Sequence, residues 1–500
     1  MQQLSPEIQA TSSMSMTILE YTKNSARYRP IQLRLLFTKV CRIAIVFPDY
    51  IRLHVFREGL NRLSETVIKK YRAAAVSLFV LNVVSALLFI LFVNHPAYDD
   101  SHHMPDVQRY ASEGVSVSSI RTHINAPGPT AYIWMAMAAR MFPGNELRSA
   151  RVAILVSWLL LGAGIVIAAP YTRFPSLWYA AIFVTLAFPH AVSATALVLT
   201  EGPALLFATL GALLWVELLS LPTLSLYHGA LGIVGSVSIG LAITCRQYYL
   251  ALIPAALFFA LLQLRKRSTP ARSDWVLPVI LSLVAGILPV LLLVAVWKGV
   301  LSPNVVSSSS YPNWISAVGA IFYRPIVTIF YIALYSLPLT FPAMRHLPPE
   351  QRWRALPVAV LGGFAAAHFM SALLKPGPFH SALGILSSTP IVQSLFFAMI
   401  VGATIYNLVA VVLLVWKKRI ILFSCPPVVF SILAIAFFVV EQFGVPSNFP
   451  FYERYLLQLA PFLGIVAFAA MPMLTMPRLL VLGASSALGQ FMLWRHALGR

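Results

Sequence analysis

The chain has 500 residues, of which 59% are hydrophobic and only 10% are charged, and its mean hydropathy is +0.80. A water-soluble protein of this length could not bury so many apolar side chains, so the composition excludes a soluble globular protein and indicates that lipid surrounds much of the chain. The formal net charge of +20 comes from 36 Lys and Arg against 16 Asp and Glu. The basic residues lie in short patches between apolar runs, which is the positive-inside pattern and argues against nucleic-acid binding.

Residues 1–72 form a basic leader that precedes the first long apolar run, which begins near Ala73. The positive-inside rule places this leader in the cytoplasm, and its basic residues favour anionic lipid headgroups. Its mixture of apolar and basic positions fits an interfacial helix or a disordered basic tail. We therefore predict two parts, the leader and a transmembrane domain over residues 73–500.

Long apolar runs follow one another through the rest of the chain. Residues 73–93 contain no charge, and a helix of that length crosses the ~30 Å hydrocarbon core. Further runs lie at roughly 149–170, 176–192, 203–220, 229–245, 247–264, 276–297, 325–343, 355–374, 390–415, 420–440, 454–472 and 479–494. Because the runs are continuous and do not alternate, they predict an all-α polytopic membrane protein with about 11–13 transmembrane helices.

The first loop, residues 94–148, is predicted to lie on the outer side of the membrane. Pro105 fits the first turn of a short helix through "PDVQRYASEG", and Gly114 fits its end. A second short helix within "INAPGPTAYIWMAMAARMF" cannot span the membrane. Its Tyr132 and Trp134 are predicted to anchor it at the interface.

Titratable residues crowd the beginning of this loop, namely Asp99, Asp100, His102, His103 and Asp106. A carboxylate at the water–lipid boundary is partly desolvated and here lies beside a second acid. Both effects raise the pKa of a carboxyl group and make it a better general base. Two other readings remain open, since the acids could be solvated loop residues, and the histidines with nearby acids could bind a divalent metal ion.

Five more polar or charged residues lie at predicted outer ends of later spans: Glu201 in "LVLTEGPALL", Arg246 and Gln247 in "TCRQYYL", and Glu453 and Arg454 in "FYERYLLQLAP". Charges at membrane depth are costly and usually mark a substrate path. Arginine forms bidentate contacts with phosphate, and carboxylates accept hydroxyl protons, so the set suits a phosphorylated lipid donor. Structural alternatives are a helix cap for the glutamate and headgroup contacts for the arginines.

The segment "DDSHHMPDVQRYASEG", residues 99–114, resembles the first outer loop of the endoplasmic-reticulum glucosyltransferase family that adds the last α-1,2-linked glucose to the lipid-linked oligosaccharide. "INAPGPTAY" (124–132) is similar to the next element of that family, and Arg246-Gln247 is similar to its R-Q motif. More broadly, the chain resembles the GT-C superfamily of polyprenyl-phosphate-sugar-dependent glycosyltransferases, whose late R-Y motif is similar to "YERYLLQLAPFL" (452–463). This resemblance implies a GT-C-type helical bundle with short jacket helices in the first outer loop.

The resemblance also implies an activity. The chain would transfer a hexose from a polyprenyl-phosphate donor to a hydroxyl of a lipid-linked or cell-surface glycan, with inversion. Asp99 would be the general base, with Asp100 as its partner or as the base itself. Arg246 and Arg454 would bind the donor phosphate. The implied substrate-binding residues are His103, Gln108, Arg109, Tyr110, Glu201, Gln247 and Tyr452.

Two alternative functions are a transporter or flippase of lipid-linked sugars and an inactive, enzyme-like scaffold. A transporter should show paired halves with broken helices at the midplane. The sequence shows no such halves, and its acids cluster at one membrane face. These features favour the enzyme.

The expected partners are the donor lipid, the glycan acceptor and membrane lipids, with no nucleic acid. No organic cofactor is predicted, and a divalent metal ion is left open. Cys41, Cys245 and Cys425 have neither redox nor metal-ligand spacing. The sequence contains no N-x-S/T sequon, which favours a bacterial inner membrane over the endoplasmic reticulum, with the site on the periplasmic or lumenal face.

Overall fold

A computed structural model shows a helical protein. It describes residues 73–221, 226–267, 269–304, 314–340, 347–368, 389–444, 453–471 and 476–497. Within those ranges no β-strand occurs. The predicted leader lies outside the described residues, so the division of the chain at residue 72 stays a prediction.

The described helices are numbered α1 to α18 in chain order. They are α1 Ala73–Phe92, α2 Asp100–Glu113, α3 Val117–Arg121, α4 Pro129–Met141, α5 Glu146–Ala168, α6 Pro175–Ala187, α7 Pro189–Ala196, α8 Glu201–Ser220, α9 Leu226–Cys245, α10 Leu252–Arg265, α11 Thr269–Trp297, α12 Trp314–Thr340, α13 Pro349–His368, α14 Pro390–Lys417, α15 Arg419–Phe423, α16 Pro426–Glu441, α17 Ala460–Ala470 and α18 Met476–Ala497. A 3₁₀ helix, Gln247–Ala251, precedes α10, and another, Glu453–Leu459, precedes α17.

Among the described residues, seven helical segments are long and apolar enough to cross a membrane. They lie on α1, α5, α8, α9, α11, α14 and on α10 with its preceding 3₁₀ turn. The predicted all-α polytopic membrane protein is therefore confirmed. In the part of the chain that the structure describes, 11 of the predicted 11–13 spans are present if the bent pair α6–α7 and three shorter apolar helices, on α12, α16 and α17, also cross.

The predicted run 176–192 is not one span. Its helix α6 ends at Ala187, and α7 begins at Pro189 at an angle of 78° to it. Phe188 between them is extended, with φ −67° and ψ 135°. Because proline disfavours the helical conformation of the residue before it, the helix breaks there. The break turns the chain so that residues 197–200 reach the beginning of α2.

The bundle has a buried centre and a periphery that lipid can contact. In α8, 78% of the 18-residue apolar stretch is buried inside the protein, whereas in α11 only 22% of the corresponding stretch is buried. Helix α9 packs between them, at very short range against α11. A Cβ atom on Gly240 of α9 would lie 2.1 Å from the carbonyl oxygen of Gly286 on α11, so the backbones touch as in small-residue helix packing within membranes.

Residues 94–148 contain the two short helices that were predicted and a third, α3, between them, but the first begins earlier than expected. It starts at Asp100, so Pro105 lies inside α2 and not in its first turn. Pro105 and Ser101 both face outward, where the Ser101 carbonyl, left without the i+4 N–H, can be solvated. Gly114 ends α2 with a φ of +86°, as predicted for a glycine at this position.

Helix α4 is not a simple interface helix. Tyr132 is completely buried, so the prediction that it anchors the helix at the membrane surface was wrong. Trp134 is partly buried, and its indole N–H donates to the Ala153 carbonyl on α5 at 2.9 Å. The reason is that α4 packs between α2 and α5, so its aromatic face meets protein as well as the interface.

Candidate active site

Four elements bring charged side chains together at their ends. Asp99 precedes α2, Glu201 is the first residue of α8, Arg246 follows α9, and Arg454 lies in the 3₁₀ helix before α17. Asp99 and Arg454 are 355 positions apart and form an ion pair. We refer to these four residues as the charged cluster.

Arg454 joins the two carboxylates of the charged cluster. Besides its ion pair with Asp99, its Nε lies 3.5 Å from Glu201 Oε1. Its guanidinium also stands over the ring of Tyr98, 5.5 Å from the centroid. Tyr98 has a φ of 54°, a left-handed conformation that costs a non-glycine residue about 1 kcal/mol or more. This turn places Tyr98 and Asp99 against the same arginine.

Arg246 contacts the other side of Glu201. Its Nη1 lies 3.2 Å from Glu201 Oε1 and donates to Thr200 Oγ1 at 2.7 Å. Its guanidinium covers the ring of Tyr455 at 4.7 Å. The Glu201 side chain is 1% exposed, whereas that of Asp99 is 30% exposed. Asp99 is thus the carboxylate of the cluster that a substrate hydroxyl reaches most easily.

Asp100 has different surroundings from its neighbour. It is fully buried and forms an ion pair with Arg151 of α5 at 2.5 Å. It also accepts hydrogen bonds from the backbone N–H of Ala97 at 3.0 Å and of Val198 at 2.6 Å. Each aspartate therefore faces its own arginine, and the expected coupling between the two acids is not what the structure shows. The bonds to Asp100 tie the start of α2 to α5 and to the segment after α7.

His103 is buried beside the charged cluster. Its Nδ1 lies 2.6 Å from the hydroxyl oxygen of Tyr132. Burial, the largest cause, and the charge of Arg454 together lower the pKa of His103 to about 4, against the opposing charges of Glu201 and Asp99. The imidazole is therefore neutral at neutral pH.

A second buried group lies further along α2, around Asp106. This carboxylate pairs with Arg109 at 2.7 Å and with His123 Nδ1 at 3.3 Å. It also accepts from the Asn125 backbone N–H at 3.0 Å and from Asn125 Nδ2 at 2.7 Å. Burial raises the pKa of Asp106, but the bonds from His123 and Asn125 and the charge of Arg109 outweigh burial and lower it to about 2.

Sequence analysis did not identify His123 and Asn125. The ring of His123 contacts the ring of Trp297 at a centroid distance of 5.9 Å and the ring of Tyr132 at 4.9 Å. The sequence could have indicated them in one way. A buried carboxylate such as that of Asp106 needs hydrogen-bond donors, and the loop that follows α2 supplies them. The bonds from His123 and Asn125 to Asp106 hold this part of the loop against α2, and the two ring contacts join it to α11 and α4.

Three residues of α2 that were predicted to bind substrate either contact the 122–128 loop or lie at the protein surface. Arg109 donates to the Thr122 carbonyl and to its hydroxyl, the latter at 3.0 Å. The Tyr110 hydroxyl lies 3.3 Å from His123 Nδ1, and burial raises the pKa of Tyr110 above its usual value. Gln108 is exposed and donates to Glu146 at 2.8 Å. The structure therefore brings His103, but none of these three, to the charged cluster.

Of the other predicted residues, Gln247 directly follows Arg246, and its amide nitrogen is buried. Tyr452 lies outside the described residues. Another buried arginine near the cluster, Arg324 of α12, was not identified from the sequence because it adjoins an apolar run. It donates to Gln442 Oε1 at 3.1 Å and lies 3.5 Å from the hydroxyl of Tyr248. The ring of Tyr248 in turn adjoins Arg246, at 5.8 Å.

Gly128 seats the 122–128 loop next to Arg246. Its N–H donates to the carbonyl of Cys245, the last residue of α9, at 3.1 Å. A Cβ atom at this position would lie 2.1 Å from the Thr244 carbonyl oxygen. Glycine is required for this close approach of two backbones.

No three His, Cys, Asp or Glu side chains converge as metal ligands in the part of the chain that the structure describes. His102 is exposed, and His103 contacts Tyr132. The hypothesis that His102 and His103 bind a divalent metal ion together with nearby acids therefore finds no set of metal ligands among these residues.

No protein-family model matches the sequence, and no curated protein matches it. Among solved structures, the chain is similar to that of ArnT from Cupriavidus metallidurans bound to undecaprenyl phosphate. The identity is 15%, 85% of this chain and 78% of that chain are covered, and the TM-score is 0.40. The apo state of the same protein gives 14% identity, the same coverage and a TM-score of 0.39. Both similarities are too distant to transfer a function to this chain.

The loop contacts of Asp106 lead to a prediction about acid stability. We expect Asp106→Asn to lower the free energy of unfolding by about 2 kcal/mol, since each unit of pKa shift corresponds to about 1.4 kcal/mol. Because the folded-state pKa of about 2 lies below the ordinary value of 3.8, this stabilisation is fully present above pH 3.8 and is lost as the pH falls towards 2. Thermal unfolding in detergent between pH 7 and about pH 2 measures it.

The matched control is Glu113→Gln, an exposed acid on the same helix, which should leave stability unchanged. Wild type and Asp106→Asn should differ by a constant amount at neutral pH, and this difference should begin to shrink below pH 3.8 and largely disappear towards pH 2. An equal stability of the two proteins at pH 7 would contradict the role of Asp106 as the anchor of the loop.

Proposed function

We propose that the chain is a GT-C-type membrane glycosyltransferase that moves a hexose from a polyprenyl-phosphate donor to a hydroxyl of a lipid-linked or cell-surface glycan. The observation that carries this proposal is the charged cluster of Asp99, Glu201, Arg246 and Arg454 at the ends of membrane helices. Ionised groups are expensive at that depth and are retained where they bind a substrate. Arginines suit a phosphate and carboxylates suit a hydroxyl, so the cluster fits a reaction between the two.

In the proposed reaction, the acceptor hydroxyl attacks the anomeric carbon of the donor sugar from the side opposite the phosphate. Asp99 takes the hydroxyl proton as the new C–O bond forms. The bond between the anomeric carbon and the phosphate oxygen breaks, its electron pair stays with the polyprenyl phosphate, and the configuration inverts. Arg246 and Arg454 stabilise the charge that develops on the leaving phosphate.

The contacts of Arg454 suggest how the base becomes active. Arg454 binds both Asp99 and Glu201, so a donor phosphate that binds Arg454 competes with Asp99 for the guanidinium. Glu201 keeps the arginine in place while Asp99 is released towards the acceptor hydroxyl. In this scheme Asp100 acts as a structural carboxylate, because its oxygens are engaged by Arg151, Ala97 and Val198.

The remaining residues take supporting roles. Arg109 and Tyr110 hold the 122–128 loop, which adjoins Arg246 through Gly128. Gln247 and Tyr452 stay predicted substrate-binding residues. Gln108 binds Glu146 at the surface, where it can contact only the outer part of an acceptor. We place the cluster on the periplasmic or lumenal side of a membrane, because the basic patches of the sequence lie at the opposite ends of the spans. The lack of an N-x-S/T sequon favours a bacterial inner membrane.

The direct test is transfer from radiolabelled undecaprenyl-phosphate-hexose by purified protein in liposomes that also contain envelope lipids and glycans as acceptors. The donor panel contains glucose, mannose and an aminosugar, each with and without a chelator. Radiolabel that leaves the lipid for an acceptor supports the transferase, and the active donor names the sugar. Label that stays on the lipid but crosses the bilayer would instead identify a flippase, and loss of transfer with chelator would show a metal requirement.

The arginines provide a sharper prediction. We expect Arg246→Gln to lower the transfer rate about 100-fold, because removal of one preorganised group at a developing charge costs on this order. Arg246→Lys should retain part of the rate, since a point charge replaces the planar fork. The matched control is Arg121→Gln, an exposed arginine of the same outer loop region, which should leave transfer unchanged. An Arg246→Gln protein of normal activity would exclude the arginine from phosphate binding.

A further inference from the structure

His103 and Tyr132 form a buried pair, and the second ring nitrogen of His103, Nε2, has no hydrogen-bond partner among the residues that the structure describes. Tyr132 is completely buried and His103 is 4% exposed. His103 Nδ1 is 2.6 Å from the tyrosine oxygen, while Nε2 is enclosed and contacts no hydrogen-bond partner within the described ranges. An enclosed polar atom without a partner costs free energy and needs an explanation.

The proton positions of this pair follow from counting partners. If the Tyr132 hydroxyl donates to Nδ1, only the hydrogen on Nε2 lacks a partner. If Nδ1 donates to the tyrosine oxygen, both the hydroxyl hydrogen and the Nε2 lone pair lack partners in a buried place. The first arrangement leaves fewer unsatisfied groups. Tyr132 therefore fixes the tautomer that carries its hydrogen on Nε2, and His103 presents a neutral N–H donor.

The counterpart of this donor is the carboxylate of Glu201. His103 lies one helical turn after Asp99, whose backbone carbonyl accepts the His103 N–H at 3.1 Å. The charges of Arg454, Glu201 and Asp99 act on its ring, so His103 adjoins the charged cluster. Glu201 is within ion-pair distance of both arginines, yet neither of its oxygens accepts a hydrogen bond of ordinary geometry from the described residues. Besides the ion pairs, this region of the protein thus offers one neutral hydrogen-bond donor, His103 Nε2–H, and one acceptor, the Glu201 carboxylate.

We propose that this donor and acceptor bind hydroxyl groups of the transferred sugar: His103 Nε2–H donates to one hydroxyl oxygen, and a sugar hydroxyl donates to Glu201. This inference rests on the proposed function, in which Arg246 and Arg454 bind the phosphate next to the sugar. A hydroxyl-bearing sugar satisfies both groups, whereas a bare polyprenyl phosphate satisfies neither. Tyr132 is a positioning residue that acts through His103.

The test compares binding of undecaprenyl phosphate with that of undecaprenyl-phosphoryl-glucose and -mannose, and of their monodeoxy analogues, to the full chain in nanodiscs. Wild type should bind a sugar-bearing lipid about 10-fold more tightly than the bare lipid. His103→Phe should abolish that preference and leave affinity for the bare lipid unchanged. Loss of one particular hydroxyl should cost about 10-fold in wild type and nothing in His103→Phe, because the two changes remove the same contact.

Two further variants separate recognition from structure. His103→Gln, whose amide nitrogen can donate from the position of Nε2, should restore most of the preference. Tyr132→Phe should weaken it without changing affinity for the bare lipid, since the ring then loses its fixed tautomer. A His103→Phe protein that binds both lipids equally less well would show a merely structural role and overturn the inference.

The two proposals can fail separately. If the wild-type chain binds the bare lipid but shows no preference for the sugar-bearing lipids, the sugar-hydroxyl role of His103 is wrong and the phosphate site stands. If it binds none of these lipids, the polyprenyl-phosphate function itself is wrong, and the role of His103 falls with it.

Discussion

Asp99→Asn is expected to abolish sugar transfer, with a rate about 10²–10⁴-fold below that of wild type, which is the usual contribution of a general base. The amide has the size of the carboxylate and can still accept a hydrogen bond from Arg454, but it cannot take the acceptor proton. Glu201 keeps its contacts with both arginines. The fold and the affinity for undecaprenyl phosphate should therefore survive the substitution.

Single-turnover transfer with the active donor measures the chemical step, and binding of undecaprenyl phosphate by the same preparation controls for the fold. Asp99→Glu tests geometry, since it keeps the base but moves it by one methylene. Its rate should lie between those of wild type and Asp99→Asn. Transfer by Asp99→Asn at the wild-type rate would remove Asp99 as the base and direct attention to Glu201 and Asp100.

Asp100→Asn is expected to destabilise the protein, by about 3–5 kcal/mol, because it leaves the guanidinium of Arg151 buried without its counter-charge. Both side chains of this pair are fully buried. Arg151 also donates to the backbone carbonyl of His95 at 2.9 Å, so the pair fixes the turn that leads into α2 and hence Asp99. Loss of transfer in this variant should follow the loss of folded protein.

A double variant tests whether the unpaired charge of Arg151 causes this destabilisation. Asp100→Asn with Arg151→Met removes both charges and should be more stable than Asp100→Asn alone, as is found when buried pairs are replaced together. Thermal unfolding in detergent, followed by transfer per folded molecule, measures both effects. Glu113→Gln again serves as the exposed control. A stable Asp100→Asn protein without transfer would instead assign the base to Asp100.

The arginine partners of the two neighbouring aspartates could not be predicted from the sequence. Successive residues at the start of a helix point about 100° apart, so Asp99 faces Arg454 and Asp100 faces Arg151. The residue types and their place after the first span predicted a carboxylate site, but could not assign which acid faces which arginine. The same holds for α2 further on, where His103 adjoins the cluster and Gln108 reaches the surface.

Composition and hydropathy by themselves determined that this chain is an all-α, multi-pass membrane protein, because the hydrocarbon core imposes a length and an apolarity that each span must show locally. The sequence also indicated the residue types that later meet, since charges at span ends are costly and therefore conspicuous. The position of Gly114 at the end of α2 followed from its conformational freedom.

Only the tertiary structure decided which of these residues meet. The break at Phe188, the burial of Tyr132 by α2 and α5, and the bonds from His123 to Asp106 depend on packing between segments far apart in the chain. Hydrophobic periodicity is a local property, whereas the ion pair of Asp99 with Arg454 joins residues 355 positions apart. Such a pair forms because each charge must find a partner once the helices have packed, and that partner is set by the bundle and not by the neighbouring sequence.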